Sequence, residues 1–267
     1  MSLQIQSVRA GVHCRVSIVA LLGLLAMQCC NADTLDISTV LQDTQLYVTT
    51  PLRWDQRDWL YAGGTVAAVL VAHHYDEQVR THYATSDNSI AGKDTHSKRD
   101  ALPAVAAVVG TWAFATFIDD PAGYQEGWSM LEAGGLSAAT TLVMKYAVHR
   151  ERPNETSDSN SWFKQGDSFP SMHVSAAFAI GTVLAESGGD DYRWVRRALG
   201  YGIGAATAAS RVKHNVHWLS DTVVGAALGI ATAKFVVNRR DGSSNQSAFL
   251  LAPAPEGVAL MYSVAFH

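Results

Sequence analysis

Cysteine is nearly absent from this chain: the three it has, Cys14, Cys29 and Cys30, all fall within the first 30 of its 267 residues. The remainder can therefore hold no disulfide framework and no thiol chemistry. Charge is scarce too. Charged residues make up 16% of the chain and nearly balance, at a net −4, so bulk charge points to no nucleic-acid partner. Aromatic residues are only 9% against 48% hydrophobic overall, with Ala making up much of the difference, which suits close-packed helices of small residues. There is no internal repeat, no low-complexity tract and no Asp/Glu cluster with metal-ligand spacing, so neither a metal ion nor a cofactor is expected.

The first 32 residues differ in texture from the rest. Arg9 and Arg15 precede an uncharged apolar run from Val16 to Met27, and the small pair Asn31-Ala32 follows. That is the order of an n-region, an h-region and a cleavage site, and it predicts a signal peptide over 1–32. The run is short of the roughly 20 residues that span a bilayer as a helix, though an uncleaved anchor is the alternative. Export of a cysteine-free mature chain fits a bacterial periplasm. Membrane association with the site facing the periplasm is the other reading.

Residues 33–58 read as a polar lead-in marked by Pro51 and Trp54. Apolar, Ala-rich segments follow at about 59–72, 101–118, 128–148, 172–186, 195–209 and 219–237, and their lengths without period-two alternation predict helices. Their Ala/Gly character and a mean hydropathy of +0.04 favour a soluble or membrane-peripheral helical bundle over a six-span protein. The polar stretch 73–100, with His73, His74, His82, Lys93 and His96, reads as a solvated surface excursion that lies near a site at most. Residues 238–267 form a linker and a terminal β-hairpin, with Val258, Leu260, Tyr262, Val264 and Phe266 at period two.

Chemistry concentrates in three clusters. In KYAVHRERP (145–153), Lys145 and Arg152 lie seven apart, two helical turns on one face, and Pro153 leaves Arg152 at a helix end. In FPSMH (169–173), Pro170 and Ser171 suit a helix start, where the backbone N–H groups of Ser171, Met172 and His173 can surround an anion. In SRVKHNVHWLSD (210–221), Arg211 offers a permanently charged fork for phosphate oxygens. His217 and Asp221 lie four apart, which lets the carboxylate accept from one imidazole nitrogen and sharpen the other as a nucleophile. Singly, each cluster is ordinary surface or cap chemistry. Together they meet the needs of phosphoryl transfer: Lys145, Arg152 and Arg211 compensate charge, His217 attacks in line, and His173 supplies a proton.

These clusters resemble the type 2 phosphatidic acid phosphatase (PAP2) family, which includes bacterial acid phosphatases and vanadium haloperoxidases. The family signature runs Lys-x6-Arg-Pro, Pro-Ser-Gly-His, then Ser-Arg-x5-His-x3-Asp, and all three parts occur here in order over 145–221. The resemblance implies an all-α bundle with the site at its mouth, over a domain spanning 59–237. It also implies a phosphohistidine at His217, oriented by Asp221, with His173 as acid and then base. Lys145, Arg152, Ser171, Arg211 and the neighbouring amides would hold phosphate. The family's usual Gly is Met172 here, which keeps the backbone N–H but adds a side chain that narrows the pocket or walls it for a lipid tail.

The expected activity is metal-independent hydrolysis of phosphate monoesters, either lipid phosphates or small phosphomonoesters, with possible membrane-surface contact. Phosphotransfer to an alcohol, a vanadate-dependent haloperoxidase on the same cradle, and a non-catalytic membrane-associated protein are the alternatives.

Overall fold

The computed structural model describes residues 37–85, 97–118, 120–188 and 192–240, and the backbone of 248–254 and 257–263. The expected signal peptide lies outside the described residues, as do Lys93 and His96. The chain forms two compact units, 1–45 and 46–267, and the second carries everything discussed below.

The described residues contain eight α-helices. They are α1 Ile37–Thr49, α2 Gln56–His74, α3 Asp76–Tyr83, α4 Ser97–Ile118, α5 Pro121–Val148, α6 Met172–Glu186, α7 Arg193–Lys213 and α8 Leu219–Arg240. A short 3-10 turn, Thr50–Arg53, separates α1 from α2. The fold is all-α, and all six expected helices are present, most with extended ends. Local chemistry explains those ends. Asp55 opens α2 with a reciprocal capping box, its carboxylate taking the N–H groups of Arg57 and Asp58 while Asp58 takes its own. Asp120 caps α5 just ahead of Pro121 at the first helical position, which starts that helix before its apolar run begins.

The polar stretch from residue 73 is not a solvated loop at its start. It completes α2 and then forms α3, whose Asp76 is 1% exposed and whose Arg80 is half-buried. The expected C-terminal hairpin falls on two segments, β1 Ala248–Ala254 and β2 Gly257–Ser263, which pair antiparallel with Ala248 opposite Ser263. Its turn, its side chains and residues 264–267 lie outside the described residues.

Helix α6 lies at the centre and packs against α5, α7 and α8. The core joins Val108 of α4, Met130 and Ala133 of α5, Ala179 and Val183 of α6, and Ala233 and Val236 of α8. The scarcity of large side chains is a condition of this packing. A Cβ on Gly181 of α6 would stand 2.1 Å from the carbonyl oxygen of Gly200 on α7, so the two backbones touch. Alternating helix directions then bring four ends together: the C-termini of α5 and α7 and the N-termini of α6 and α8. Lys145, Arg211, Ser171 and Asp221 sit on those ends.

Because backbone cannot yield as a side chain can, Gly181→Ala should cost about 1–3 kcal/mol of stability. Gly202→Ala, on the same α7 with nothing within 4 Å of the new Cβ, should be neutral or stabilising. Thermal denaturation of both variants checks the pair.

Candidate active site

Lys145 lies on the last turn of α5, and His149 ends that helix in the left-handed region at φ 48. The chain then runs without helix from 150 to 171, folding back under the helix ends. Lys145 Nζ donates to the carbonyl of Asp167 and, at 3.5 Å, to that of Ser168. Burial pushes its pKa down to about 8; Arg152 and Arg211 also lower it, while Asp167 and Asp221 oppose them.

Arg152 holds the Asp167 carboxylate with both arms of its fork, Nε to Oδ1 at 2.6 Å and Nη2 to Oδ2 at 3.0 Å. Burial raises the Asp167 pKa, but the Arg152 hydrogen bonds and charge, with Lys145, outweigh it and hold the carboxyl below its usual range. Arg211, on the last turn of α7, is fully buried and donates through Nη1 to Asp100 Oδ2 at 2.9 Å. Asp100 also accepts from the Ser210 hydroxyl at 2.6 Å.

Ser171 stands at the N-cap of α6, fully buried, but its side chain makes no cap bond and its hydroxyl has no partner. Its N–H donates to the backbone carbonyl of Asp221 at 3.1 Å. One amide of the expected anion cradle is therefore committed, leaving Met172 and His173 as the first helical residues, whose N–H groups precede any intrahelical acceptor. Both side chains are half-buried.

His217 is 3% exposed, in the loop between α7 and α8. Burial holds its pKa well below the usual imidazole range, reinforced by the charges of Lys145, Arg211, Arg152 and His173. All four charges act on it from nearby, and the lowered pKa leaves it neutral near pH 7. Its Nδ1 lies 3.7 Å from Asp221 Oδ2 and has no hydrogen-bond partner. The expected His217–Asp221 contact is thus an approach longer than a hydrogen bond. It is long because Asp221 is already engaged. Oδ1 takes Arg150 Nη1 at 2.5 Å; Oδ2 takes the Ser168 hydroxyl and, at 2.9 Å, the Trp218 N–H.

Arg150 is the residue that spacing alone does not reveal. It is fully buried, bridging Asp221 to Asp76, whose Oδ2 lies 2.7 Å from Nη2. Nη1 also donates to Ser220 Oγ at 2.8 Å, and Nη2 to the Ser159 carbonyl at 2.7 Å. The guanidinium carbon lies 4.2 Å from the Trp162 ring centroid and 5.2 Å from that of Trp218. Asp76 is closed by the N–H and hydroxyl of Ser220 and by His73 Nδ1 at 2.9 Å. The structure therefore gathers Lys145, Arg152, Ser171, Met172, His173, Arg211, His217 and Asp221 at one end of the bundle. To them it adds Asp76, Asp100, Arg150, Asp167 and Ser168. Among the described residues no group of three or more His, Cys, Asp or Glu side chains is placed to share a metal ion.

A cradle of fixed cations around a neutral histidine, with a spare hydroxyl, can bind a tetrahedral oxyanion and attack it. Residues 126–243, somewhat under half of the chain, match the model of the PAP2 superfamily. A lipid A 1-phosphatase of Porphyromonas gingivalis is 29% identical over 170 residues, which are 62% of this chain and 35% of that protein. The chain thus spans about a third of that relative's length. A crystal structure of Aquifex aeolicus LpxE aligns with a TM-score of 0.40 and 19% identity, over 55% of this chain and 88% of that one.

Removing Arg150 would leave two buried carboxylates with no compensating charge. Arg150→Met should therefore cost about 3–5 kcal/mol at neutral pH. Denaturant melts of the variant and the wild type measure the deficit.

Proposed function

We propose that the chain is a phosphatase that hydrolyses phosphate monoesters through a phosphohistidine at His217. The observation that carries this reading is a buried imidazole whose Nδ1 lies 3.7 Å from Asp221 Oδ2, within reach of the charges of Lys145, Arg211, Arg152 and His173. Nδ1 lies on the Asp221 side, so Nε2 is left to meet phosphorus. In the first step Nε2 attacks, the bond from phosphorus to the leaving oxygen breaks, and His173 gives that oxygen a proton. In the second, water attacks phosphorus as His173 takes its proton, the P–N bond breaks, and phosphate departs. Lys145, Arg152, Arg211, the Ser171 hydroxyl and the Met172 and His173 amides hold the equatorial oxygens. Charge on those oxygens is compensated by protein cations, so the reaction needs no metal ion.

The substrate we infer is a phosphorylated lipid. A relative named for lipid A supports this, as do exposed apolar side chains such as Leu60, Tyr61 and Leu70 on α2 and Phe114 and Phe117 on α4. Helices α4 and α8 are also long and apolar enough, by length and composition, to cross a membrane. Membrane association with the site on the periplasmic side fits these features.

Two measurements test the mechanism. His217→Ala should lower phosphate release by roughly a thousandfold or more while leaving the melting temperature near the wild type, since removing a nucleophile forfeits covalent catalysis; near-normal turnover would sink the assignment. Lys145 loses its proton as pH rises through about 8, so kcat/KM should fall on that limb. In Lys145→Arg, which stays charged, the limb should move to higher pH.

A further inference from the structure

The segment 166–168 is fixed in its backbone and loose in one side chain. Gly166 packs so closely on the chain past α5 that a Cβ there would stand 2.2 Å from the Arg150 carbonyl oxygen. The Ser168 N–H donates to that same carbonyl at 2.9 Å, and the Ser168 hydroxyl donates to Asp221. Asp167 lies between these two buried residues, yet its side chain is 62% exposed. Its main-chain carbonyl accepts from Lys145 Nζ, while its carboxylate takes Arg152 Nε at 2.6 Å and Nη2 at 3.0 Å. One residue therefore meets two of the three cations proposed to hold phosphate, through two different groups.

Those two groups differ in freedom. The carbonyl belongs to a backbone pinned on either side. The carboxylate has water on one side and, on the other, a guanidinium whose side chain is only 12% exposed. Rotating the Asp167 side chain would carry its carboxylate from the fork into water and leave the Lys145 and Ser168 contacts intact. In the fork it does what a phosphate does, presenting two oxygens of one anion to two N–H groups of one guanidinium. Its charge also reaches further into the cradle: burial lowers the Lys145 pKa, and Asp167 is the strongest charge opposing that fall. Lys145 and Arg152 both act in turn on His217, so the filled fork lies close to the proposed nucleophile.

We propose that Asp167 is an internal stand-in for the scissile phosphate: its carboxylate leaves the Arg152 fork when substrate binds and returns to expel inorganic phosphate after the P–N bond has broken. The inference rests on the phosphatase reading, because it takes Arg152 as a phosphate ligand. A cradle of fixed cations with no anion to replace a departing phosphate would retain its product, and slow product release limits turnover. A carboxylate tethered beside the fork competes at high effective concentration. It costs the substrate little, because an exposed carboxylate holds its partner weakly.

Inorganic phosphate is the probe, titrated calorimetrically into the full chain and used as a competitive inhibitor of 4-nitrophenyl phosphate hydrolysis. Asp167→Asn keeps the size of the side chain and leaves the main-chain carbonyl to Lys145. It should bind phosphate roughly fivefold more tightly, the factor expected when one competing ion pair is lost. Asp167→Ala should show the same gain or a larger one, since Asn still offers the fork one oxygen, and Asp167→Glu should stay near the wild type. KM should fall with the phosphate constant and kcat should not rise, because product then leaves more slowly. Arg152→Gln separates competition for the fork from a general effect of charge: in that background Asp167→Asn should change phosphate affinity by less than about twofold. Unchanged or weaker phosphate binding in both Asp167→Asn and Asp167→Ala, an equal gain with and without Arg152, or a higher kcat would overturn the proposal. Absence of 4-nitrophenyl phosphate turnover in the wild type would instead strike the phosphatase reading, and the calorimetric titrations then decide the competition by themselves.

Discussion

The buried guanidinium of Arg150 is the constraint on which the site depends. It lies between the carboxylates of Asp76 and Asp221, stacked against Trp162 and Trp218, with no solvent to screen it. Such a triad adds little net stability over apolar packing, because three charges had to be stripped of water. Its effect is positional: each carboxylate has one place where its charge is met. Asp76 pins the corner between α2 and α3, Arg150 pins the chain just past α5, and Asp221 pins the start of α8. Through its remaining contacts Asp221 then fixes Ser168, the Trp218 amide beside His217 and, by its carbonyl, the Ser171 cap of α6. Four segments far apart in sequence are thereby registered at the bundle's end.

Much of this arrangement was legible from sequence, and the part that was not shares one physical cause. Long Ala-rich runs mark helices because length and period are local properties. The eight residues from Lys145 to Asp221 stand out because their spacing along three short stretches is local too. Asp76, Asp100 and Asp167 act by pairing with arginines elsewhere, Asp76 with a partner 74 residues away and Asp100 with one 111 away. No short window of sequence contains both members of those two pairs, and Asp167, only 15 residues from Arg152, lies in a stretch without helical period to mark it. Helix α3 escaped notice for a related reason. Its sequence, DEQVRTHY, has no apolar stripe, and α3 is held instead by the polar bonds of Asp76 and Arg80. Arg150 sits inside a cluster already rich in cations, where nothing local separates a buried bridge from a solvated charge.

The cations of the proposed cradle are not equivalent, and burial shows how they differ. Arg211 is bound to Asp100 in a pair whose side chains are 0% and 4% exposed. An incoming anion cannot displace Asp100 without stranding its charge in the interior, so Arg211 must approach a phosphate with Asp100 still attached. Arg152 is paired with Asp167, whose side chain is 62% exposed. That carboxylate can swing into water at little cost, since an exposed ion pair contributes only about 1 kcal/mol or less. Asp167 thus occupies the fork that a phosphate would take, and its removal would free a bidentate donor at the moment of binding. Lys145, which donates to the Asp167 carbonyl, would feel that loss of negative charge directly. An anion with two or more charges restores the balance, whereas a monoanion restores it in part. The same cradle that orders the cations would therefore favour a dianionic phosphate monoester over a diester, with Asp167 as the group the substrate must outcompete.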